Sequence, residues 1–213
     1  MIADRATVFV VDDDYAVRKG LARLLQIKGY QVICFPSAEE FLKEKAKPKV
    51  ACLVLDISLP GMSGLELQNR LFQQGIVLPT IFITGHGDIP MAVQAVKSGA
   101  ISFLSKPFTE KELVTEIENA LAICRREFQE HAEIANLQRR YLTLTERESQ
   151  ILAFVISGCL NKQTAFDLGI AETTVKVHRG RIMKKMQAES VAELVAMAGK
   201  LHVPRAPQET AKL

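Results

Sequence analysis

The sequence predicts an α/β domain built on a parallel sheet, followed by a long helix and an all-helical domain. Three observations carry this. Between residues 7 and 108, short β-branched runs alternate with stretches of helical period, the pattern of a parallel sheet with helices on both faces. Residues 109–140 contain neither proline nor glycine. From residue 143 onward the apolar spacing is helical throughout.

The strands are read at Thr7–Val11, Gln31–Phe35, Cys52–Leu55, Thr80–Thr84 and Ile101–Ser105. Helices fall between them, at 15–28, 37–45, 64–74 and 89–98. Gly29, Gly75 and Gly99 stand where helices should stop. Ser37 followed by Glu40 forms a capping-box pattern. In the long segment Leu113, Ile117, Leu121, Cys124 and Phe128 recur at spacings of three and four, continued more weakly by His131, Ala135 and Gln138. One helix is the economical reading. A partly coiled-coil dimer stem and a single helix packed on its own domain both fit the pattern. The C-terminal helices are placed at 145–157, 161–168, 172–187 and 190–200. Thr145 with Glu148 repeats the capping-box pattern. Residues 202–213 hold two prolines and little apolar material and read as a frayed tail.

Composition narrows the class of function. Apolar residues make up 48% of the 213-residue chain, enough for packed cores. The apolar runs are strand-sized, and the N-terminus carries no secretory pattern, so a cytoplasmic protein without a membrane partner is expected. Cys34, Cys52, Cys124 and Cys159 form no CxxC pair and read as buried reduced thiols. Net charge is only +3, but it is unevenly spread. Residues 173–186 carry Lys176, Arg179, Arg181, Lys184 and Lys185 and no acid. Residues 109–141 carry a net −2, from 5 basic and 7 acidic residues.

Polar groups gather at the carboxyl ends of the predicted strands: Asp12-Asp13-Asp14 after the first, Asp56 after the third, Thr84 after the fourth, and Lys106-Pro107 after the fifth. In an open parallel sheet those ends line one crevice. Clustered carboxylates repel one another, and a divalent cation relieves the repulsion. All-oxygen ligands favour a hard ion such as Mg2+. With the Lys106 ammonium and the Thr84 hydroxyl, the set suits a phosphoryl group carried on a carboxylate. Singly, an aspartate after a strand is an ordinary helix N-cap and a lysine before proline an ordinary loop residue. The joint pattern carries the argument.

The stretches VVDDDYAVR, LVLDISLPGMSGLEL, IFITGHGD and FLSKPF resemble the receiver domain of bacterial response regulators over residues 5–125. The resemblance implies a flavodoxin-like (βα)5 fold of the CheY type. It implies that Asp56 accepts phosphate from a sensor histidine kinase. Asp13, Asp56 and the backbone carbonyl of Ser58 would hold Mg2+, with Asp12 acting through a bound water. Lys106 would hold the phosphoryl group, Thr84 would move toward it, and Phe103 would change rotamer with Thr84. Ser58 and His86 occupy positions that modulate the lifetime of the phosphoryl group. The Lys106–Pro107 bond is expected to be cis. Self-phosphorylation and autodephosphorylation would be the only catalysis, so no enzyme is expected. A haloacid-dehalogenase-type phosphohydrolase would need a carboxylate where Ser58 stands.

In the C-terminal part, Leu168-Gly169-Ile170 forms a turn between two short helices, a helix-turn-helix arrangement. On a helix over 173–186, Val175, Ile182 and Met186 share one face. Thr173, Lys176, Val177, Gly180, Arg181 and Lys184 share the other. Charge alone allows a merely solvated basic helix; the preceding turn and the lack of acids favour a DNA-facing one. TVKVHRGRIMKKM resembles the recognition helix of LuxR-type domains in NarL/FixJ response regulators. That resemblance implies a four-helix domain in which Lys176, Val177 and Gly180 face bases. Thr174, Arg181, Lys184, Asn161 and Lys162 would meet the DNA backbone. The whole chain then divides into a receiver (5–122), a helical linker continuing the last receiver helix (123–142), a helix-turn-helix domain (143–201) and a disordered tail (202–213). Its expected partners are a sensor histidine kinase, double-stranded promoter DNA and a second copy on phosphorylation or DNA binding, with RNA polymerase a further candidate. A constitutive DNA binder with an unused receiver is the rival within the same fold.

Overall fold

The computed structural model describes residues 6–44, 48–85 and 100–206. The expected helix at 89–98 and His86 lie outside them. Two compact units follow each other, Met1–Gln129 and Glu130–Leu213.

The first unit runs β1 (Thr7–Val11), α1 (Tyr15–Ile27), β2 (Gln31–Phe35), α2 (Ala38–Leu42), β3 (Ala51–Asp56), α3 (Gly64–Gln73), β4 (Thr80–Thr84) and β5 (Ser102–Ser105). The strands form one parallel sheet in the order β2-β1-β3-β4-β5. Alternate residues of β1 and β3 feed opposite faces, as the two-residue period of a strand requires. Phe9, Leu53, Leu55 and Phe82 pack on one side with Leu67 and Leu71 of α3. Val8, Val10, Val54, Ile81 and Ile83 pack on the other with Leu21 and Leu25 of α1. Both faces of the central strands are covered, so their burial is continuous.

The helix α4 (Glu110–Tyr141) is unbroken over 32 residues. Leu113, Ile117 and Leu121 are fully buried against the sheet. Beyond them the stripe loses its cover: Cys124 is half-buried and Phe128 is 44% exposed. Burial returns at Leu137, in the second unit, where Tyr141 also joins the core.

The second unit continues with α5 (Glu146–Ile156), α6 (Asn161–Leu168), α7 (Glu172–Met186) and α8 (Val191–Lys200). Its core is Ile151, Leu152, Val155, Val175, Ile182, Met186, Leu194 and Ala198. Gly169, at φ +64°, ends α6 in the left-handed conformation and opens the turn to α7.

Two expectations need correction. Residues 202–206 do not fray: Val203 N–H donates to Ala198 O at 3.0 Å, and the buried Ala206 donates to Ser157 Oγ at 3.0 Å. Apolar Val203 joins the core, which polar composition alone concealed. Of the four cysteines only Cys52 is buried, and burial pushes its thiol up to about 12; the others are half-buried.

Candidate functional site: an acidic pocket and an exposed basic helix face

Parallel pairing places the ends of β1, β3, β4 and β5 on one rim. Asp12 follows β1, Asp56 closes β3, Thr84 closes β4, and Lys106 follows β5. Asp12, Asp56 and Thr84 are buried, whereas Asp13 is exposed. Each loop is pinned by short local bonds. Asp14 N–H donates to Asp12 Oδ1 at 2.8 Å, and Ser58 N–H donates to Asp56 Oδ1 at 2.8 Å. Asp14 itself caps α1 by accepting from Ala16 and Val17. Lys106 N–H donates to Thr84 O at 2.7 Å, and the Lys106–Pro107 bond is cis.

The Lys106 ammonium bridges the two buried acids, 2.7 Å from Asp12 Oδ2 and 2.6 Å from Asp56 Oδ2. Burial pushes the Asp12 carboxyl up, aided by the Asp56 charge and opposed by Lys106 and the Asp14 N–H. Burial works against the Lys106 ammonium, yet its bonds and charge contacts with the two acids together raise it. Carboxylate oxygens of Asp12, Asp13 and Asp56 lie within 4.8 Å of one another. Oxygens about 2.1 Å from an octahedral Mg2+ are about 3–4 Å apart, so small side-chain adjustments would close this set on a hard cation.

The sequence-named residues Asp12, Asp13, Asp56 and Lys106 thus come together, with Ser58 joined through its N–H and Thr84 through its carbonyl. Phe103 is half-buried on β5 beside Phe82. One residue escaped the sequence reading. A β-carbon on Gly64, the first residue of α3, would lie 2.3 Å from the Asp56 carbonyl oxygen. The helix packs against the backbone of Asp56 at a distance only glycine permits. A glycine opening a helix just after the acid was the available signal. Glu39 of α2 also reaches this loop, accepting from Met62 N–H at 3.2 Å.

In the second unit α7 buries Val175, Ile182 and Met186 completely. Thr173, Thr174, Lys176, Gly180, Arg181 and Lys184 are exposed, and Val177 is 53% exposed. Lys162 on α6 is exposed and Asn161 half-buried. Lys176 pairs with Glu172 at 3.4 Å on the helix surface. Lys185 belongs to the basic stretch but not to its exposed face. It turns inward, 2.6 Å from buried Glu148 Oε2 and 2.8 Å from Thr143 O. The Lys185 bond, then the Thr145 N–H, hold the Glu148 carboxyl below its usual range.

A doubly wound sheet with this acidic rim, followed by a helix-turn-helix with an exposed basic face, defines a receiver-type domain joined to a DNA-binding module. The model of the response regulator receiver domain matches residues 8–118, and that of the bacterial regulatory proteins of the luxR family matches residues 142–198. The chain belongs to the two-component response regulators of the NarL/FixJ family, transcription regulators with a receiver and a LuxR-type DNA-binding domain. It is 46% identical to the response regulator protein TmoT of Ectopseudomonas mendocina, over 92% of this chain and 89% of that one. It is 43% identical to the transcriptional regulatory protein FixJ of Rhizobium meliloti, over 90% and 94%. Among solved structures, the response regulator StyR matches with a TM-score of 0.83 at 47% identity, over 92% of this chain and 99% of that one. A receiver implies a phosphodonor kinase as partner, and the LuxR-type domain implies DNA. Among the described residues no helix is long and apolar enough to cross a membrane.

Proposed function

We propose that Asp56 is the phosphoacceptor and that its phosphorylation drives pairing of two chains on promoter DNA. The observation that carries this is the Lys106 ammonium shared by Asp12 and Asp56 beside the exposed Asp13 carboxylate. An Asp56 oxygen attacks the phosphorus of a phosphohistidine in line. The P–N bond breaks as the P–O bond forms, and the histidine nitrogen takes up a proton. Lys106 moves from the carboxylate to a phosphoryl oxygen, and the Thr84 hydroxyl donates to another. Phe103 then follows Thr84. Asp13, Asp56 and the Ser58 carbonyl would hold Mg2+, with Asp12 acting through water; the ion supplies neutralisation of phosphoryl charge.

Output passes to α7. Lys176, Val177 and Gly180 face base edges, and Thr174, Arg181, Lys184, Asn161 and Lys162 meet phosphates. The exposure of all of them but the half-buried Asn161 supports this. Two linked readers spanning successive half-sites gain affinity without new contacts. RNA polymerase is a further partner for a promoter-bound dimer, and the cytoplasm is where these partners meet. In domain terms, residues 5–122 receive the signal, 123–142 relay it and 143–201 read DNA.

The test is incubation of the full chain with acetyl phosphate, with and without Mg2+, followed by intact mass, light scattering and DNA titration. One phosphoryl group should be gained by the native chain only, in Mg2+ only, and not by Asp56→Asn; dimer mass and tighter DNA binding should follow. Equal labelling of Asp56→Asn would refute the site. DNA affinity unmoved by phosphorylation would favour the constitutive binder.

A further inference from the structure

We propose that Arg140 and Arg147 are positioning residues for DNA recognition: their guanidinium groups fasten the last residue of α7 and the turn that leads into it. The inference rests on the DNA-binding assignment and not on phosphorylation of Asp56.

Apolar packing of Val175, Ile182 and Met186 sets how deeply α7 sits on its domain. Such packing is non-directional, so it constrains sliding and rotation of the helix less than depth. Reading base edges requires both to be set, because each side chain must meet particular donors and acceptors. Hydrogen bonds supply direction. The backbone groups suited to receive them are helix-end carbonyls, which have no partner within their own helix.

Two such carbonyls bracket α7, and each accepts from an arginine. At the entry, Arg147 Nη2 donates to Leu168 O, the last residue of α6, at 2.7 Å; its Nη1 donates to Gln150 Oε1 at 2.8 Å. The fork ties the turn before α7 to α5. At the exit, Arg140 Nη1 donates to Met186 O, the last residue of α7, at 3.1 Å. Arg140 is the penultimate residue of α4. The final turn of α4 is therefore part of the DNA reader. Both arginines are half-buried and donate to backbone carbonyls, whereas Arg181 and Lys184 are exposed where a phosphate would approach.

This separates positioning from direct contact experimentally. The wild-type chain selects its preferred duplex from a randomised pool. Affinities of the full-length variants for that duplex and for a scrambled one are then measured across a salt series. Arg140→Met and Arg147→Met should lower the preferred-to-scrambled ratio about tenfold, while the salt slope on scrambled duplex stays unchanged. Lys184→Met should instead weaken both duplexes together and reduce the slope by about one. Arg140→Lys can keep one bond to Met186 O and should restore most of the ratio. Arg147→Lys cannot span Gln150 and Leu168 and should restore less. Circular dichroism on heating identifies any methionine variant that fails to fold, in which case the two lysine variants decide. An unchanged ratio, or uniform weakening with a reduced slope at either arginine, would overturn the proposal.

Discussion

Replacing Gly64 by alanine adds one carbon at a crowded point beside Asp56. Gly64 opens α3 as an ordinary helical residue, so alanine fits its backbone and should by itself stabilise by about 0.4–1 kcal/mol. Space opposes this. The new β-carbon would sit 2.3 Å from Asp56 O and 3.1 Å from Ile57 Cα. Bringing that first contact to about 3.0 Å needs roughly 0.7 Å of backbone separation, in the range where overpacking costs about 1–3 kcal/mol. Both groups that must move are backbone, so the upper end applies, and the net loss is about 2 kcal/mol. For a unit of this size that lowers Tm by about 6–10 °C. The displaced strand end carries Asp56, and misplacement approaching 1 Å can cost about 100-fold in rate. Phosphoryl uptake from acetyl phosphate should fall at least tenfold at a temperature where the variant is folded. Gly20→Ala is the control: nothing lies within 4 Å of its β-carbon, and this exposed mid-helix change should stabilise by about 0.5–1 kcal/mol. Native Tm and native uptake in Gly64→Ala would refute the reasoning.

Lys106→Met removes the cation that occupies Asp12 and Asp56. Calorimetric titration should show Mg2+ binding tightened by roughly tenfold, a modest part of the ~4 kcal/mol that two unit charges exchange at 4 Å in an intermediate dielectric, while phosphoryl uptake is lost; weaker Mg2+ binding would contradict this. Glu148→Gln keeps the shape of the buried pair but not its charge. Because the folded carboxyl sits below its ordinary value of about 4.3, its extra stability is full above that value and is lost as pH falls through it toward the folded pKa. The urea-derived gap between native and variant chains should therefore be about 1–2 kcal/mol near neutral pH and shrink below about pH 4.3; a constant gap would show the charge is immaterial. Ile182→Ala empties a fully buried site between α7 and its domain, and should cost about 2–5 kcal/mol by urea unfolding, with DNA binding failing on warming before the first unit melts.

The order of elements was legible because each has a local cause. Period two and β-branched runs marked β1, β2 and β4 to the residue, and alternation with helices implied a parallel sheet whose ends converge. Asp12, Asp13, Asp56 and Lys106 could thus be assembled on paper from positions nearly a hundred residues apart. The two faces of α7 likewise follow from a period of 3.6. What escaped were contacts between elements with no shared period. Gly64 reads as any helix start until Asp56 O is seen beside it. The basic stretch alone does not tell that Lys185 pairs with Glu148 beneath it, and nothing local marks Arg140 and Arg147 as donors to the carbonyls of Met186 and Leu168. The cover of α4 beyond Leu121, and the packing of Val203 and Ala206, depended equally on what lay opposite.

Local sequence determines which segments become strand or helix, since backbone sterics and apolar period act over a few residues. It also determined the chemistry of the rim, because the carboxyl ends of parallel strands meet wherever such a sheet forms. Tertiary structure alone decided which charges are exposed and which are bound inside. Burial and hydrogen-bond geometry depend on distances between segments far apart in the chain, as the pairing of Lys185 with Glu148 shows.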